Sequence, residues 1–575
     1  MIDIEKLKQN FSGDVLTDDE SKKKFSRDAS IFEATPEIIV QPKNTADIEQ
    51  LVHFVTAAKQ AGLDMSLTPR AGGTDMTGGS ITESILIDFT KYLNKIGEIE
   101  TLPGQPAKDS TPPSLPPTSA TPQRDGFERG GTIRVQPGAY YRDLEKVTLE
   151  QNLLMPSYPA SKAICGVGGM VGNNAGGEKS LSYGQTVDWV ESLDVTLSDG
   201  KTYKIRPLTE PELINKIKEP TFEGQLYRKV WNIISANHER IKKAEPSTSK
   251  NSAGYYLWKV WDGKHFDLTK LLVGSQGTLG IISDITFKLA PIEPHRRTLV
   301  VFLKDLHELG NVVASIKHLR PESFELYDDH TLKLALQFLP EIMEKMGGKS
   351  IHLFMQFLPE LWMSFTGGLP RMVLLAEFTG GTPAIAEDKA LEAQKAILAQ
   401  FKVKTHLCKD QKEASKYWTI RRESYNLLRQ HTKNRMAACF IEDIIVHPDQ
   451  LPEFLPKLNQ IFSRYPSFVY TIAGHAGDAN FHIMPLMDLT DQTQRDAVVR
   501  LSNEVFHLVM EYKGSITAEH NDGIVRGPYL EMMYGPEMLE LFRQVKKAFD
   551  PLNIFNPHKK TDADMDYYEK HLRHT

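Results

Sequence analysis

Met65-Ser66-Leu67-Thr68-Pro69-Arg70-Ala71-Gly72-Gly73-Thr74-Asp75-Met76-Thr77-Gly78-Gly79 runs a short strand pattern directly into a glycine-rich loop. Upstream, Ile38-Ile39-Val40-Gln41-Pro42 reads as a strand stopped by proline. Asp47 to Gln60 then carries Ile48, Leu51, Val52 and Val55 at helical spacing, with Thr45 near its start as a candidate cap. Strand, helix, strand and glycine loop make an α/β pattern, with the loop at the carboxyl end of a strand. Residues 70–79 present successive backbone N–H groups with little side-chain obstruction. Such a loop can wrap a pyrophosphate, its charge met by amides.

Two more glycine blocks follow. Gly166-Val167-Gly168-Gly169-Met170-Val171-Gly172-Asn173-Asn174-Ala175-Gly176-Gly177 misses the dinucleotide fingerprint, because a third glycine is required where Val171 stands. The Gly-Lys-Ser/Thr ending of a P-loop is also absent. Gly274-Ser275-Gln276-Gly277-Thr278-Leu279-Gly280 lies between two expected strands, Leu271–Val273 and Ile281–Phe287. Val195-Thr196-Leu197 and Tyr203-Lys204-Ile205 flank Ser198-Asp199-Gly200, a hairpin signal. Three glycine blocks in one α/β region favour a single extended cofactor.

The spacing of these patterns predicts an N-terminal segment 1–31, a cofactor domain 32–292, a second domain 293–490 and a C-terminal segment 491–575. The proline-, serine- and threonine-rich stretch at about 103–129 cannot bury enough surface to fold, so it is expected to be a disordered insert before the strand Thr132–Gln136. Pro291 and Pro294 mark the boundary. Thr298 to Leu303 is an expected strand and Asp305 to Leu319 an amphipathic helix. Residues 491–548 read as helical, broken near 514–528.

With 68 basic and 74 acidic residues the net charge is −6, which argues against a general nucleic-acid binder. No apolar run approaches the ~20 residues of a membrane span. The start, Met1-Ile2-Asp3-Ile4-Glu5-Lys6, lacks the order of a secretory signal. A cytoplasmic protein is expected, with loose attachment to a membrane surface compatible with the composition. Three cysteines, Cys165, Cys408 and Cys439, are too few to ligate an iron–sulfur cluster conventionally. Electrons from any redox step would therefore leave by another route.

The chemistry-bearing pattern is Gly474-His475-Ala476-Gly477-Asp478-Ala479-Asn480-Phe481-His482, followed at a distance by Glu519-His520. Two imidazoles and a carboxylate are a ligand set for a borderline divalent cation such as zinc or manganese. The histidine beside the glutamate is a candidate proton acceptor, because its ordinary pKa lies near neutrality.

The Pro-Arg-x-Gly-Gly-Thr loop, the Gly-Gly-Met-Val-x-Asn-Asn-Ala-Gly-Gly block and Gly-Ser-x-Gly-Thr-Leu-Gly-Ile resemble the FAD domain of the vanillyl-alcohol oxidase superfamily. The histidine motif, Glu519-His520 and Asp550-Pro551-Leu552-Asn553-Ile554-Phe555-Asn556-Pro557 narrow the likeness to its 2-hydroxy acid branch. That branch comprises D-lactate dehydrogenases, glycolate oxidase subunits and D-2-hydroxyglutarate dehydrogenases. The resemblance implies an α+β fold: a PCMH-type split α/β FAD-binding domain, an antiparallel-sheet α+β substrate (cap) domain and a C-terminal helical segment closing on FAD. It implies a D-2-hydroxy acid dehydrogenase that delivers the α-hydrogen to FAD.

By the same resemblance, Pro69, Arg70, Ala71, Gly72, Gly73, Thr74, Asp75, Gly78 and Gly79 would surround the FAD pyrophosphate. Gly168, Gly169, Gly172, Asn173, Asn174, Ala175, Gly176, Gly177, Tyr183, Gly184, Gly280, Ile281 and Ile282 would line the rest, with Asn556 approaching from the C-terminal segment. Residues 69–79 contain no histidine for covalent attachment, so FAD is expected to be non-covalent. His475, His482 and Glu519 would hold the metal, and His520 would be the base, kept neutral by the cation beside it.

Trp418-Thr419-Ile420-Arg421-Arg422-Glu423 resembles the element that supplies a guanidinium to the substrate carboxylate. Arg421 and Arg422 both remain candidates, about 100° apart on a helix, so only one should face the flavin. Lys433 and Arg435 are further candidates for a second substrate charge. Two departures stand out: Ala479, where relatives usually have glycine, and Asn521-Asp522 after His520. The implied partner is a separate electron acceptor: a quinone, a cytochrome, an electron-transfer flavoprotein or an iron–sulfur protein. A homodimer is compatible with the resemblance. Two alternatives stay open: a non-redox enzyme like the alkyl-glycerone-phosphate synthases, and a FAD-binding subunit of a larger dehydrogenase complex.

Overall fold

The computed structural model describes residues 4–9, 11–101, 130–345, 368–431, 435–466 and 468–574. Strands Ile38–Gln41, Ile85–Asp88 and Leu67–Arg70 lie parallel, with Asp14–Leu16 antiparallel at one edge. Helix Thr45–Gln60 covers this sheet with Ile48, Leu51, Val52 and Val55, all fully buried. Burying each such side chain stabilises the fold by about 1.5–3 kcal/mol. Asn44, not Thr45, caps the helix: its Oδ1 accepts from Asp47 N at 3.1 Å, and Thr45 is the first helical residue.

A second sheet is antiparallel, in the order Ile96–Thr101, Gly131–Val135, Ile281–Pro291, Val190–Thr196, Thr202–Ile205. The expected hairpin is its last strand pair. The insert expected at about 103–129 falls outside the described residues, between the first two strands. Leu271–Val273, expected to be a strand, is instead the end of a helical turn, Thr269–Leu272. Asp267 decides this by accepting from both Thr269 N (2.9 Å) and Thr269 Oγ1 (2.6 Å), which closes a turn on an apolar run too short to show a period.

Strand Ile281–Pro291 belongs to the second sheet, and His295–Leu303 begins the third. This is an antiparallel sheet ordered Lys404–Leu407, His295–Leu303, Met372–Gly380, Ser323–Asp328, Val469–His475, Asn480–Met487, Met436–Ala437. Helices Leu309–Lys317, Pro383–Gln400 and Leu451–Ser463 pack on it in one apolar core. Helices Gln492–Glu511 and Leu530–Phe549 follow. The chain then returns to its start: Leu67 N donates to Ile554 O at 2.8 Å, and Asn556 N donates to Leu67 O at 2.9 Å. The C-terminal segment is thus bonded to the strand that feeds the first glycine loop. Among the described residues, no helix is long and apolar enough to cross a membrane.

Candidate active site

His475 ends the strand Val469–His475 and His482 lies in its antiparallel neighbour Asn480–Met487. The tight turn 476–479 between them turns both rings toward one point. Each ring donates outward through Nδ1, His475 to Glu325 Oε1 at 2.6 Å and His482 to the Glu442 carbonyl at 3.0 Å. Their Nε2 atoms consequently face each other, 3.3 Å apart, and Glu519 Oε1 stands 3.2 Å from His475 Nε2. One ligand atom from each of His475, His482 and Glu519 lies within 4.8 Å of the other two. Two inward imidazole nitrogens beside a carboxylate, with the outer nitrogens anchored, suit a divalent cation. Asp443, His482 and His520 form an overlapping group. However, Asp443 Oδ2 is already engaged by Thr517 Oγ1, Glu519 N and His520 N, so Asp443 shapes the loop rather than offering a ligand.

His520 stacks on His482, with centroids 5.3 Å apart at 10°, and its Nδ1 donates to Glu442 Oε1 at 2.9 Å. Burial would lower its pKa, but Asp443 and Glu442 outweigh this and raise it to about 9. These two carboxylates by themselves favour the imidazolium; the neutrality expected of His520 rests on a neighbouring cation. Burial would raise Glu442, yet Arg526 and His520 hold it down at about 2. His482 is pushed down by burial and by the neighbouring His475 and His520. Glu442 and Asp443 were missed in the sequence; their only signal is an adjacent acidic pair inside the apolar run Phe440–Val446.

The two arginines diverge as their helical spacing requires. Arg421 turns inward to Glu325 Oε2 at 3.0 Å, the carboxylate that also anchors His475. Arg422 turns outward, stacks on Trp418 and grips Glu178 with two bonds of 3.0 and 2.8 Å. Arg435 is exposed, and Lys433 lies outside the described residues.

Residues 70–76 and 168–169 with 172–173 are all at least partly exposed, and the two glycine blocks adjoin, Asn173 Nδ2 donating to Asp75 Oδ1 at 2.7 Å. Gly169 and Gly172 lie one turn apart on the short helix Val167–Asn173, and a Cβ on either would meet nothing closer than 3.9 Å. Arg70 folds back across Gly73, where a Cβ would stand 2.3 Å from its Nη2, and its buried Nη1 has no partner among the described residues. An open glycine face and a spare buried cationic donor fit a pyrophosphate-bearing cofactor.

The other expected cofactor residues sit elsewhere. Asn174 Oδ1 accepts from Val187 N, Ala175 O accepts from Thr186 Oγ1, and Gly177 abuts the Tyr158 carbonyl. Gly176 leaves room for Glu519, whose Oε1 would be 3.0 Å from a Cβ there. Gly78 packs on Ile524, and Gly79 lies against Gln276. Tyr183 donates to Glu322 at 3.2 Å, while Gly184 must spare the Asp188 carboxylate. Gly280 and Ile281 pack into the second sheet, and half-buried Ile282 continues the same strand. Asn556 is fully buried. Its amide donates to Gly79 O and Gln276 O and accepts from Thr68, so it joins the first and third blocks instead of reaching out to a ligand.

The departures also find their places. Ala479 adopts φ +54 in the turn between the histidines. Asn521, at φ +75, donates to Asn173 O (3.1 Å) and Gly274 O (2.9 Å), joining the Glu519–His520 loop to the second and third glycine blocks. Buried Lys560 holds Asn521 Oδ1 at 2.7 Å and Asp522 Oδ2 at 2.6 Å.

Residues 36–206 match the family described as "FAD binding domain", and residues 292–560 match "FAD linked oxidases, C-terminal domain". The chain belongs to the FAD-linked oxidases. A similar member of this group, the D-2-hydroxyglutarate dehydrogenase of Pantoea ananatis (strain AJ13355), is 26% identical over 97% of this chain and 51% of its own. This chain thus spans about half the length of that relative. Glycolate oxidase subunit GlcD of Bacillus subtilis (strain 168) is 26% identical over 94% of this chain and 92% of its own. The solved 4-ethylphenol oxidase from Gulosibacter chungangensis shares the fold of this FAD-linked oxidase, with a TM-score of 0.63 at 14% identity over 95% of this chain and 94% of that one.

Proposed function

We propose that this FAD-linked oxidase dehydrogenates a D-2-hydroxy acid to the 2-oxo acid. The observation that carries the reading is the meeting of His475 Nε2, His482 Nε2 and Glu519 beside His520, with an inward-turned arginine next to them. Relatives named for D-2-hydroxyglutarate, glycolate and D-lactate support the substrate class. Bound non-covalently against the glycine blocks, FAD would supply the two-electron oxidant that receives the α-hydrogen, and zinc or manganese on the three ligands would supply a Lewis acid for the substrate oxygens.

The chain's own groups do the rest. Arg421 orients the α-carboxylate through its planar guanidinium. In its deprotonated form His520 takes the hydroxyl proton at Nε2, because Nδ1 is committed to Glu442. Glu442 and Asp443 stabilise the imidazolium so formed. One C–H and one O–H bond break, and the carbonyl forms. The electrons then pass to a separate acceptor such as a quinone, a cytochrome, an electron-transfer flavoprotein or an iron–sulfur protein.

A panel of D- and L-2-hydroxy acids, added anaerobically to the flavoprotein, tests this. Bleaching of the flavin band by D-isomers is expected. Failure of every member to bleach it would instead favour a non-redox enzyme of this fold or a subunit that binds FAD only structurally.

A further inference from the structure

Lys250 lies outside the glycine blocks and the histidine motifs, in the segment Ser249-Lys250-Asn251-Ser252-Ala253-Gly254 between helix His238–Lys243 and the turn Leu257–Lys259. This segment runs from the cofactor half into the metal centre. Ser249 Oγ donates to Asp478 Oδ1 at 2.6 Å, and Ser252 Oγ donates to Ala518 O at 2.9 Å. The Lys250 side chain between them is wholly buried. Its ammonium donates to Asn480 Oδ1 at 3.1 Å, stands 3.4 Å from Asp478 Oδ2 and closes a tight ion pair on Glu519 Oε1. Asp478 and Asn480, the two polar residues inside the histidine motif, are therefore partners of this ammonium and not of the imidazoles.

Glu519 Oε1 would thus have two claimants, Lys250 Nζ and a cation held between His475 and His482. We propose that Lys250 is a positioning residue that shares the Glu519 carboxylate with the bound metal, leaving the metal more weakly held and more polarising. The inference rests on the reading of His475, His482 and Glu519 as metal ligands. A carboxylate paired with an ammonium gives up less charge to a metal, and like charges this close in a buried site repel. Lys250 also holds Glu519 in place before any cation arrives, and Asn480 and Asp478 fix the ammonium beside it.

The test uses the flavin-loaded protein stripped of metal by a chelator and titrated with Mn²⁺ by calorimetry, with flavin content as the check on folding. Lys250→Met and Lys250→Gln should bind Mn²⁺ at least about tenfold tighter than the unmodified chain, yet reduce their flavin more slowly with a D-2-hydroxy acid. Lys250→Arg, which keeps the charge, should retain near-normal affinity. A lysine needed only for packing would lose affinity and flavin together. Lys250→Gln still hydrogen-bonds to Asn480, so it remains informative if the methionine variant fails to fold. A glutamine variant with unchanged or weaker Mn²⁺ binding, or with lost flavin, overturns the proposal. If the unmodified chain and His475→Ala show the same lack of binding, the metal reading itself falls, and this inference with it.

Discussion

His475 Nε2 and His482 Nε2 point at each other across 3.3 Å, because Glu325 and the Glu442 carbonyl have claimed both Nδ1 atoms. Two lone pairs cannot share that gap without a proton or a cation between them.

Removing either ring should therefore empty the centre and leave the glycine blocks alone. His475→Ala and His482→Ala are expected to lose bound metal and turnover together while purifying with normal FAD. Metal analysis beside the flavin absorbance checks this, and full activity in metal-free protein would contradict it.

Metal binding should depend on pH in a defined direction. Burial disfavours a proton on His475, but Glu325 and Glu519 outweigh it and raise the ring to about 9. A raised group is protonated below its pKa, so metal entry must displace that proton at neutral pH. Affinity should fall by about tenfold per unit as pH drops below that value. Calorimetry in buffers of differing ionisation enthalpy should show about one proton released per ion near pH 7. No release would mean that another group holds the site.

Arg421 and Arg422 should separate by readout. Arg421→Met, beside the histidines, should raise KM for the hydroxy acid at least about tenfold. Arg422→Met breaks a half-exposed grip on Glu178 and should cost on the order of 1 kcal/mol in stability with KM little changed. Thermal melts and steady-state kinetics on the pair distinguish these roles, and reversed effects would assign the carboxylate to Arg422.

Much of this was legible in the chain because glycine and histidine patterns act locally. The first loop and the hairpin at Ser198–Gly200 follow from short-range spacing, while the antiparallel third sheet is implied by the family resemblance. Helical geometry likewise foretold that Arg421 and Arg422 would face different ways. What stayed hidden depends on contacts far apart in sequence. Glu442, Asp443 and Lys250 reach the centre only when distant segments align; locally, Glu442 and Asp443 show only as an acidic pair in an apolar run, and Lys250 is unmarked. Asn556 read as a cofactor residue because its motif is local, while its hydrogen bonds to Thr68, Gly79 and Gln276 are not.

Ala479 offers a stability test. Its φ of +54 puts a Cβ in the left-handed region, which costs roughly 1–2 kcal/mol relative to glycine. Glycine's freedom in the unfolded chain offsets part of that gain. Ala479→Gly should leave metal content intact and raise the melting temperature slightly. A clear drop would show that the buried methyl contributes more than the strain removes.

The proton acceptor is the centre of the account, and single-turnover flavin reduction by a D-2-hydroxy acid tests it most directly. With metal and FAD bound, the normal chain should reduce its flavin faster as pH rises and His520 loses its proton. His520→Asn should be slower by about 10²–10⁴ and lack that acidic limb. A variant that reduces its flavin at the normal rate across the same pH range would contradict the account and assign the proton to another group.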